Sequence, residues 1–404
     1  MLNNKTYLDR LFKSDKPLIV YKVKKGFNIY TDFSDKIFVN KKNINYFINK
    51  AKTSKKTKNS FFDGYIGFFG YEILCELIGV KIPKQNSNNF HKSIFYKPQT
   101  IIKIRQNILI KSTLSKFKYL KDLEQSQRQY FHEKKFKVNL SLQQYTKLFY
   151  KFLKKIKKGE TYQIKLCQKY RNHSMINSVK FFWDLMEINT SPESFMIRDN
   201  NFSIISCSPE TLLVKKKNKI FTKPIAGTLK KTKRISIRKA TNIFQLNEKE
   251  NKEHNMIVDM ERNDLSRVCK VGSVKISKLK FIEEYKDLYH YVTEVSGTLD
   301  KKINLLDIIK AMMPGGSVIG CPKINTLNLL NNQEKDNRNV YTGCFGYIQS
   351  NSDMRFNIII RSILNYKNFC EVSVASGVIL GSSARKEYQE NYIKAKSLLD
   401  IFKS

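Results

Sequence analysis

The sequence contains little cysteine and no CxxC pair. Its 404 residues include seven cysteines, an odd number at widely separated positions. This spacing argues against both a structural zinc site and a disulfide framework. No apolar run approaches the roughly 18 residues of a membrane-spanning helix, and the first residues carry no apolar segment typical of a signal peptide. These absences predict a soluble protein of the reducing cytoplasm, without membrane contact.

Acidic residues are also scarce, with 35 Asp and Glu against 74 Lys and Arg and a formal net charge of +39. Such an excess is typical of proteins that bind nucleic acids. The lysines, however, are spread along the whole chain and accompany no recognition-helix, RNA-binding-strand or zinc-finger signature. We therefore interpret most of the charge as a solvated surface and predict no nucleic-acid partner.

The residues that are abundant indicate a globular α+β protein. Apolar residues make up 41% of the chain, which is long enough for one large or two ordinary domains. Predicted strands, one of which is NIIIRSILNY (357–366), and helices mix rather than alternate strictly, which favours large antiparallel sheets. The charged segment 114–138 predicts a surface helix and linker. It would separate an N-terminal α+β region, 1–135, from a catalytic domain, 140–404.

Four helices are predicted in the second region, one of them around FFWDLMEI (181–188). Ser141 is a good N-cap before a stripe of apolar residues that Gly159 ends, so the first helix occupies the segment between them. The last two, at 248–262 and 384–402, carry many of the scarce carboxylates.

Four of these carboxylates form two pairs. Glu250 and Glu253 are three residues apart, and Glu387 and Glu390 repeat the spacing, so each pair lies on one face of its helix. Like charges at this spacing repel by roughly a few tenths of a kcal/mol. If the tertiary structure brought the pairs together, a hard divalent cation such as Mg²⁺ would stabilise them. By spacing alone, two solvated helix faces with nearby lysines are the simpler interpretation.

Several further motifs occur in a fixed order in the second region. They are SPE (208–210), KPIAGTLKK (223–231), EHNMIVDMERNDLSRV (253–268), PGGSVIGCPK (314–323), YTGCFGY (341–347), IIIRS (358–362), ASGVILGS (375–382) and YQENYIKA (388–395). Together they resemble the chorismate-binding enzymes, a family that includes anthranilate synthase component I, aminodeoxychorismate synthase component I and the isochorismate and salicylate synthases. The resemblance implies the fold of anthranilate synthase component I, in which large antiparallel β-sheets pack together and are flanked by helices.

The resemblance also assigns roles to the carboxylates. Glu253 and Glu390 would be direct Mg²⁺ ligands, and Glu250 and Glu387 would reach the ion through water. The metal would bind the ring carboxylate of chorismate and polarise the ring. Glu210, in the motif SPE, would be the acid that protonates the departing ring hydroxyl.

The remaining site residues are likewise implied by the resemblance. Arg361 and Tyr341 would contact the enolpyruvyl carboxylate of the substrate. The backbone N–H groups of 227–228 and 375–377 would approach the substrate closely, because these segments contain glycine. The substrate-binding set is Gly227, Thr228, Tyr341, Arg361, Ala375, Ser376 and Gly377. His290 and Lys394 would complete the catalytic set.

The choice of nucleophile depends on a few positions. Water-using family members place a lysine base at the position of Gln163, so glutamine favours ammonia. The form PGGS (314–317), the lack of an LLES-type tryptophan-site motif and Glu193 in place of a family tyrosine favour aminodeoxychorismate synthase. Ala226 favours anthranilate synthase, because aminodeoxychorismate synthases have a proposed lysine nucleophile there. Arg355 and Phe356 replace a usual Asp-Thr, with no consequence evident from the sequence.

We therefore predict Mg²⁺-dependent amination of chorismate to 4-amino-4-deoxychorismate, the precursor of p-aminobenzoate and folate. The alternative is anthranilate synthase component I, which yields anthranilate and pyruvate for tryptophan synthesis. No cysteine lies in a glutaminase-like context, so a separate glutamine amidotransferase subunit would supply ammonia. An inactive or nucleic-acid-binding relative is the non-enzyme alternative, against which the complete set of site residues argues.

Overall fold

A computed structural model describes residues 4–53, 61–83, 90–114, 123–189, 191–232, 235–285 and 288–403. The side chains of Ala226 and Lys249 lie outside this description.

Strands make up most of the described chain. They are β1 Leu18–Val23, β2 Gly26–Phe38, β3 Gly64–Phe69, β4 Ser93–Ile104, β5 Ile108–Ser112, β6 Phe131–His132, β7 Lys137–Val138, β8 Gln163–Met175, β9 Glu193–Arg198, β10 Phe202–Ser208, β11 Thr211–Lys216, β12 Lys219–Thr222, β13 Ile225–Lys230, β14 Lys275–Glu284, β15 Leu288–Thr298, β16 Gly320–Cys321, β17 Cys344–Gln349, β18 Met354–Ile358, β19 Ser362–Tyr366 and β20 Phe369–Val378.

Helices connect and cover the strands. They are α1 Asn4–Lys13, α2 Ile44–Lys52, α3 Tyr71–Leu77, α4 Leu142–Lys157, α5 Ser178–Ile188, α6 Ile237–Leu246, α7 Glu248–Ser266, α8 Leu305–Met312, α9 Lys323–Asn331 and α10 Ala384–Asp400, with 3-10 turns at Gly316–Val318 and Ile401–Lys403. No helix among the described residues is both long and apolar enough to cross a bilayer.

The strands form two antiparallel layers. One layer has the order β8–β20–β19–β10–β9–β1–β2. The other has the order β4–β3–β17–β18–β11–β12–β15, with β13 and β14 along β15. The long strands β2 and β4 pair from Phe27–Ile104 to Phe38–Ile94 and thereby join the layers.

The layers pack face to face through apolar side chains. One buried cluster combines Ile19 and Ile204 of the first layer with Ile66 and Phe345 of the second. The rings of Phe195 and Phe345 stack across the layers, with centroids 3.7 Å apart and planes at 8°. Each such fully buried side chain contributes roughly 1.5–3 kcal/mol. This arrangement, with helices around the sheets, confirms the predicted α+β fold class.

Local sequence signals account for the helices that were predicted. The Ser141 side chain accepts a hydrogen bond from the backbone N–H of Gln144, whose side chain accepts one from the Ser141 N–H, so α4 starts with a capping box. Gly159, at φ 74°, follows the helix end. Helices α7 and α10 cover the two carboxylate-bearing segments. These three predictions are confirmed.

The predicted surface helix and linker lie partly outside the described residues. Residues 115–122 are not described, and 123–138 contain extended chain with β6 and β7. One prediction of secondary structure is wrong. The segment NIIIRSILNY was predicted as one strand, but β18 ends at Ile358 and β19 begins at Ser362. Arg361 lies between them with φ 49°, and this bend places it at the site described below.

Strands of the two predicted regions pair with each other. β1 pairs with β9 in the first layer, and β3 pairs with β17 in the second. The N-terminal region therefore contributes strands to both layers of the structure, and the boundary near residue 135 stays a prediction.

Candidate active site

Two strand pairs and two helices hold most of the predicted site residues. In the first pair, Gly377 of β20 lies opposite Lys165 of β8. In the second, Thr228 of β13 lies opposite His290 of β15. Because directly opposed residues of antiparallel strands project from the same face, each pair presents its side chains together. Helices α7 and α10 supply the carboxylates.

His290 is fully buried at the centre of this arrangement. Its Nδ1 lies 2.9 Å from Thr228 Oγ1, whereas its Nε2 has no hydrogen-bond partner among the described residues. Burial, and then the charge of Arg361, lower the pKa of His290 to about 4, so the ring is neutral near pH 7. A buried polar atom left without a partner costs about 1–3 kcal/mol. A polar substrate atom beside Nε2 would remove this cost.

Glu210 lies between β10 and β11, where its carboxyl group faces the same region. The Ser317 hydroxyl donates a hydrogen bond of 2.8 Å to Oε1. Burial raises the pKa of Glu210 to about 7, against the opposing effects of Ser317, Lys165 and Arg361. Near neutral pH a large fraction of this group is therefore protonated, as a general acid requires.

Glu253 of α7 forms close contacts with strand β8. Lys165 Nζ lies 2.8 Å from its Oε1, and Gln163 Nε2 donates to the same oxygen at 2.7 Å. The positive charge of Lys165 is the main reason that the pKa of Glu253 falls to about 2. Lys165 was not predicted as a site residue.

Glu390 of α10 also has a lysine partner, since Lys394 Nζ lies 2.6 Å from Glu390 Oε1. The same ammonium donates to the backbone carbonyl of Ala375 at 3.0 Å. Burial favours the neutral form of Glu390, but Lys394 and Lys165 hold its pKa below the usual range, and the charge of Glu253 acts in the opposite direction. The two helices and strand β8 thus bring two carboxylates and two lysines into one electrostatic cluster.

The four predicted metal ligands are not gathered into one compact group. The described residues contain no set of three or more His, Cys, Asp or Glu side chains placed to hold a metal ion. Glu250 approaches Gly227, and Glu387 is almost fully buried. Two carboxylates with water and substrate oxygens nevertheless satisfy the preference of Mg²⁺ for hard oxygen ligands. Glu253 and Glu390 therefore fit the ion, and the roles of Glu250 and Glu387 stay predictions.

Two of the predicted glycines lie close against side chains of the site. A Cβ atom on Gly227 would lie 2.6 Å from the Phe244 ring and 3.1 Å from Glu250 Oε2. A Cβ atom on Gly377 would lie 2.8 Å from Gln163 Nε2 and 3.0 Å from Lys165 Nζ. Glycine at both positions leaves the space in which the polar groups of the site meet.

The other predicted residues differ in how they face the site. Ala375 joins the cluster through its carbonyl, but the Ser376 hydroxyl lies 2.8 Å from Tyr145 OH on the opposite face of β20. Tyr341 is buried close to Cys167, two residues beyond Lys165 on β8. Arg361 is close enough to Glu210 and His290 to lower the pKa of both.

Glu193 and Arg355, which both depart from the family pattern, contact each other. Arg355 forms an ion pair with the buried Glu193, which also accepts hydrogen bonds from Tyr21 and Thr211. Burial alone would raise the pKa of Glu193, but Arg355 holds it below the usual range. This pair lines a cavity of about 1300 Å³. The cavity wall includes Pro209 and Thr211, on either side of Glu210, but none of the predicted site residues.

Strand alternation is the signal by which Lys165 could have been found. It follows Gln163 by two residues on a strand whose other residues are largely buried, so both project from one face. The Glu193–Arg355 pair joins residues 162 positions apart, and no local pattern indicates it.

Comparison with known proteins identifies the family. The family description "chorismate binding enzyme" matches residues 7–400. The chain belongs to this family. It is 36% identical over 241 residues to aminodeoxychorismate synthase component 1 of Bacillus subtilis, an alignment that covers 59% of the chain and 51% of that protein. It is 29% identical over 342 residues to anthranilate synthase component 1 of Saccharolobus solfataricus, covering 84% of the chain and 80% of that protein.

Solved structures show the same fold. Anthranilate synthase component I from Streptococcus pneumoniae superposes with a TM-score of 0.76 at 24% identity, covering 95% of this chain and 90% of that one. The menaquinone-specific isochorismate synthase MenF from Escherichia coli gives 0.75 at 14% identity, covering 98% and 90%. At these identities the likeness establishes the fold, and it does not distinguish among chorismate-using reactions.

Proposed function

We propose that this member of the chorismate-binding enzymes aminates chorismate with ammonia and releases 4-amino-4-deoxychorismate and water. The observation that carries the proposal is the cluster of Glu210, His290 and Arg361. It combines a partly protonated carboxyl, a neutral imidazole with a free Nε2 and a cation, as a reaction that expels a hydroxyl group from a dianionic substrate requires.

Gln163 and Lys165 support ammonia rather than water as the nucleophile. An amide is not a base, and Gln163 donates its N–H to Glu253. Lys165 is engaged in an ion pair with Glu253. An ammonium in an ion pair has no lone pair with which to deprotonate water. Ammonia already carries its lone pair and needs no such base to attack.

The roles of the side chains follow from their charges. Arg361 would bind a carboxylate of chorismate, and His290 Nε2 would hydrogen-bond to a polar group on the ring. As the new C–N bond forms, the ring C–O bond breaks, and Glu210 would give its proton to the departing hydroxyl, which leaves as water. The amine nitrogen then loses a proton, which returns to the Glu210 carboxylate and restores the acid. When bound to Glu253 and Glu390, Mg²⁺ would supply positive charge against the ring carboxylate.

Anthranilate synthase is the second candidate because position 226 is alanine. The backbone of Ala226 is part of β13, and its side chain lies outside the described residues. The names of similar proteins include both reactions. The ammonia donor in either case would be a separate glutamine amidotransferase subunit.

The product assay tests both candidates. We expect purified protein with chorismate, Mg²⁺ and an ammonium salt to form 4-amino-4-deoxychorismate, measured by chromatography with mass detection. Glutamine in place of ammonium should yield product only when a partner glutaminase is added, and a chelator should stop the reaction. Anthranilate with pyruvate would establish the second candidate instead. Formation of isochorismate, an isomer of chorismate, would show that water is the nucleophile. No turnover under any condition would refute the proposal that the protein is an active enzyme.

Removing the charge of Arg361 should weaken substrate binding. We expect Arg361→Gln to raise KM for chorismate by about 30- to 150-fold, since a charge-assisted hydrogen bond to a carboxylate contributes roughly 2–3 kcal/mol. Steady-state kinetics measures the change. Arg262→Gln is a suitable control, because Arg262 lies on the solvent-exposed part of α7. An unchanged KM for Arg361→Gln would exclude the proposed contact.

A further inference from the structure

Both carboxylates that would hold Mg²⁺ are paired with an ammonium group, but the two lysines differ in origin. Lys394 lies one turn from Glu390 on the same helix, and its side chain is 38% exposed. Lys165 comes from a different element, near the start of β8, and its side chain is 12% exposed. Lys165 is therefore held against Glu253 by the tertiary fold, whereas the Lys394 contact is an ordinary pair within one helix.

Lys165 and Gln163 together engage one oxygen of Glu253. Both donate to Oε1, at 2.8 and 2.7 Å, and Gly377 opposite Lys165 leaves the space that the ammonium uses. Unit charges at such distances and partial burial interact more strongly than they would in water. A divalent cation that approaches Glu253 would meet an ammonium already bonded to its ligand oxygen, and the two cations would repel each other.

The position of Lys165 also determines how its ammonium group can move when it leaves Glu253. Its ammonium is close enough to act electrostatically on both Glu210 and Lys394, so it lies inside the cluster of predicted site residues and not at its edge. A small rotation of the long side chain would separate Nζ from Glu253 and leave it in the same site.

We propose that Lys165 is a tethered cation that competes with Mg²⁺ for Glu253 and thereby sets the metal affinity of the site. Metal binding requires the Lys165 ammonium to leave Glu253 Oε1. The proposal rests on the proposed function only in taking Glu253 as a metal ligand.

Direct titration with Mn²⁺, with no substrate present, tests the proposal. Free Mn²⁺ is measured by electron paramagnetic resonance in wild type and in Lys165→Met, which keeps the length of the side chain and removes its charge. We expect the Kd for Mn²⁺ to fall by about tenfold or more, a change of at least ~1.4 kcal/mol. Lys165→Arg keeps the cation and should show no such tightening.

Two further variants separate the local effect from general electrostatics. Lys147→Met removes one charge from the exposed face of α4 and should leave the Kd unchanged. Adding Glu253→Gln to Lys165→Met should abolish the gain, because the metal loses its ligand. If Lys165→Met does not fold, Lys165→Gln supplies the same comparison while keeping an N–H donor toward Glu253.

The outcomes are distinct from those of the product assay. Equal Kd values for wild type and Lys165→Met, no Mn²⁺ binding by either, or a tightening that persists with Glu253→Gln would each overturn the proposal. Since the titration involves no chorismate, it measures the affinity of the site for Mn²⁺ whether or not the protein aminates chorismate.

Discussion

Glu210→Gln is expected to lower kcat by about 10²- to 10⁴-fold, the range for loss of a positioned general acid. Glutamine is nearly isosteric and still accepts the hydrogen bond that Ser317 donates to Oε1, so substrate binding and the fold should change little. Steady-state kinetics together with the thermal unfolding midpoint separates these effects. A variant that keeps wild-type kcat would exclude Glu210 as the proton donor.

The same residue predicts a pH profile. Burial raises the pKa of Glu210 to about 7, and the protonated form is the active one. Therefore kcat/KM should fall as pH rises above about 7, by tenfold per pH unit once the carboxyl has ionised. In Ser317→Ala, loss of a hydrogen bond that favours the carboxylate should move this decline to higher pH. Persistence of the decline in the residual activity of Glu210→Gln would assign it to another group.

Arg355→Ala should lower the stability of the fold strongly, because it removes the cation that pairs with the buried Glu193. Without Arg355, the carboxylate of Glu193, which is 2% exposed, remains buried with only hydroxyl partners. Breaking a buried pair by removing one partner costs about 3–5 kcal/mol. The Arg355 side chain is 33% exposed, so water that enters the cavity will reduce this, and we expect about 2–4 kcal/mol.

Denaturant unfolding measures the loss, and a double-mutant cycle isolates its cause. Adding Glu193→Gln to Arg355→Ala should recover much of the stability, because the neutral amide carries no unpaired charge. Arg262→Ala removes a solvent-exposed pair with Asp259 and should cost under about 1 kcal/mol. Equal losses for Arg355→Ala and Arg262→Ala would show that the buried pair contributes no more than an exposed one.

Glu210 and the Arg355–Glu193 pair illustrate what contacts between distant residues add to a sequence motif. Glu210 stands in a recognisable motif, and its burial beside Ser317 explains why its carboxyl can hold a proton. Arg355 and Glu193 were visible only as separate departures from the family pattern. The fold shows that they compensate each other, because a carboxylate placed in the core needs a cation and strand β18 of the other layer supplies one.

The sequence by itself determined the α+β class, the capped helix after Ser141, the carboxylate-bearing helices and the family, because these depend on local periodicity, caps and ordered motifs. Only the tertiary structure decided which charges meet. It split NIIIRSILNY at Arg361, turned the Ser376 hydroxyl away from the site and placed Lys165 on Glu253. Contacts between β8 and α7 join residues almost ninety positions apart along the chain. The energy of such contacts comes from burial and proximity, which arise when the sheets and helices pack.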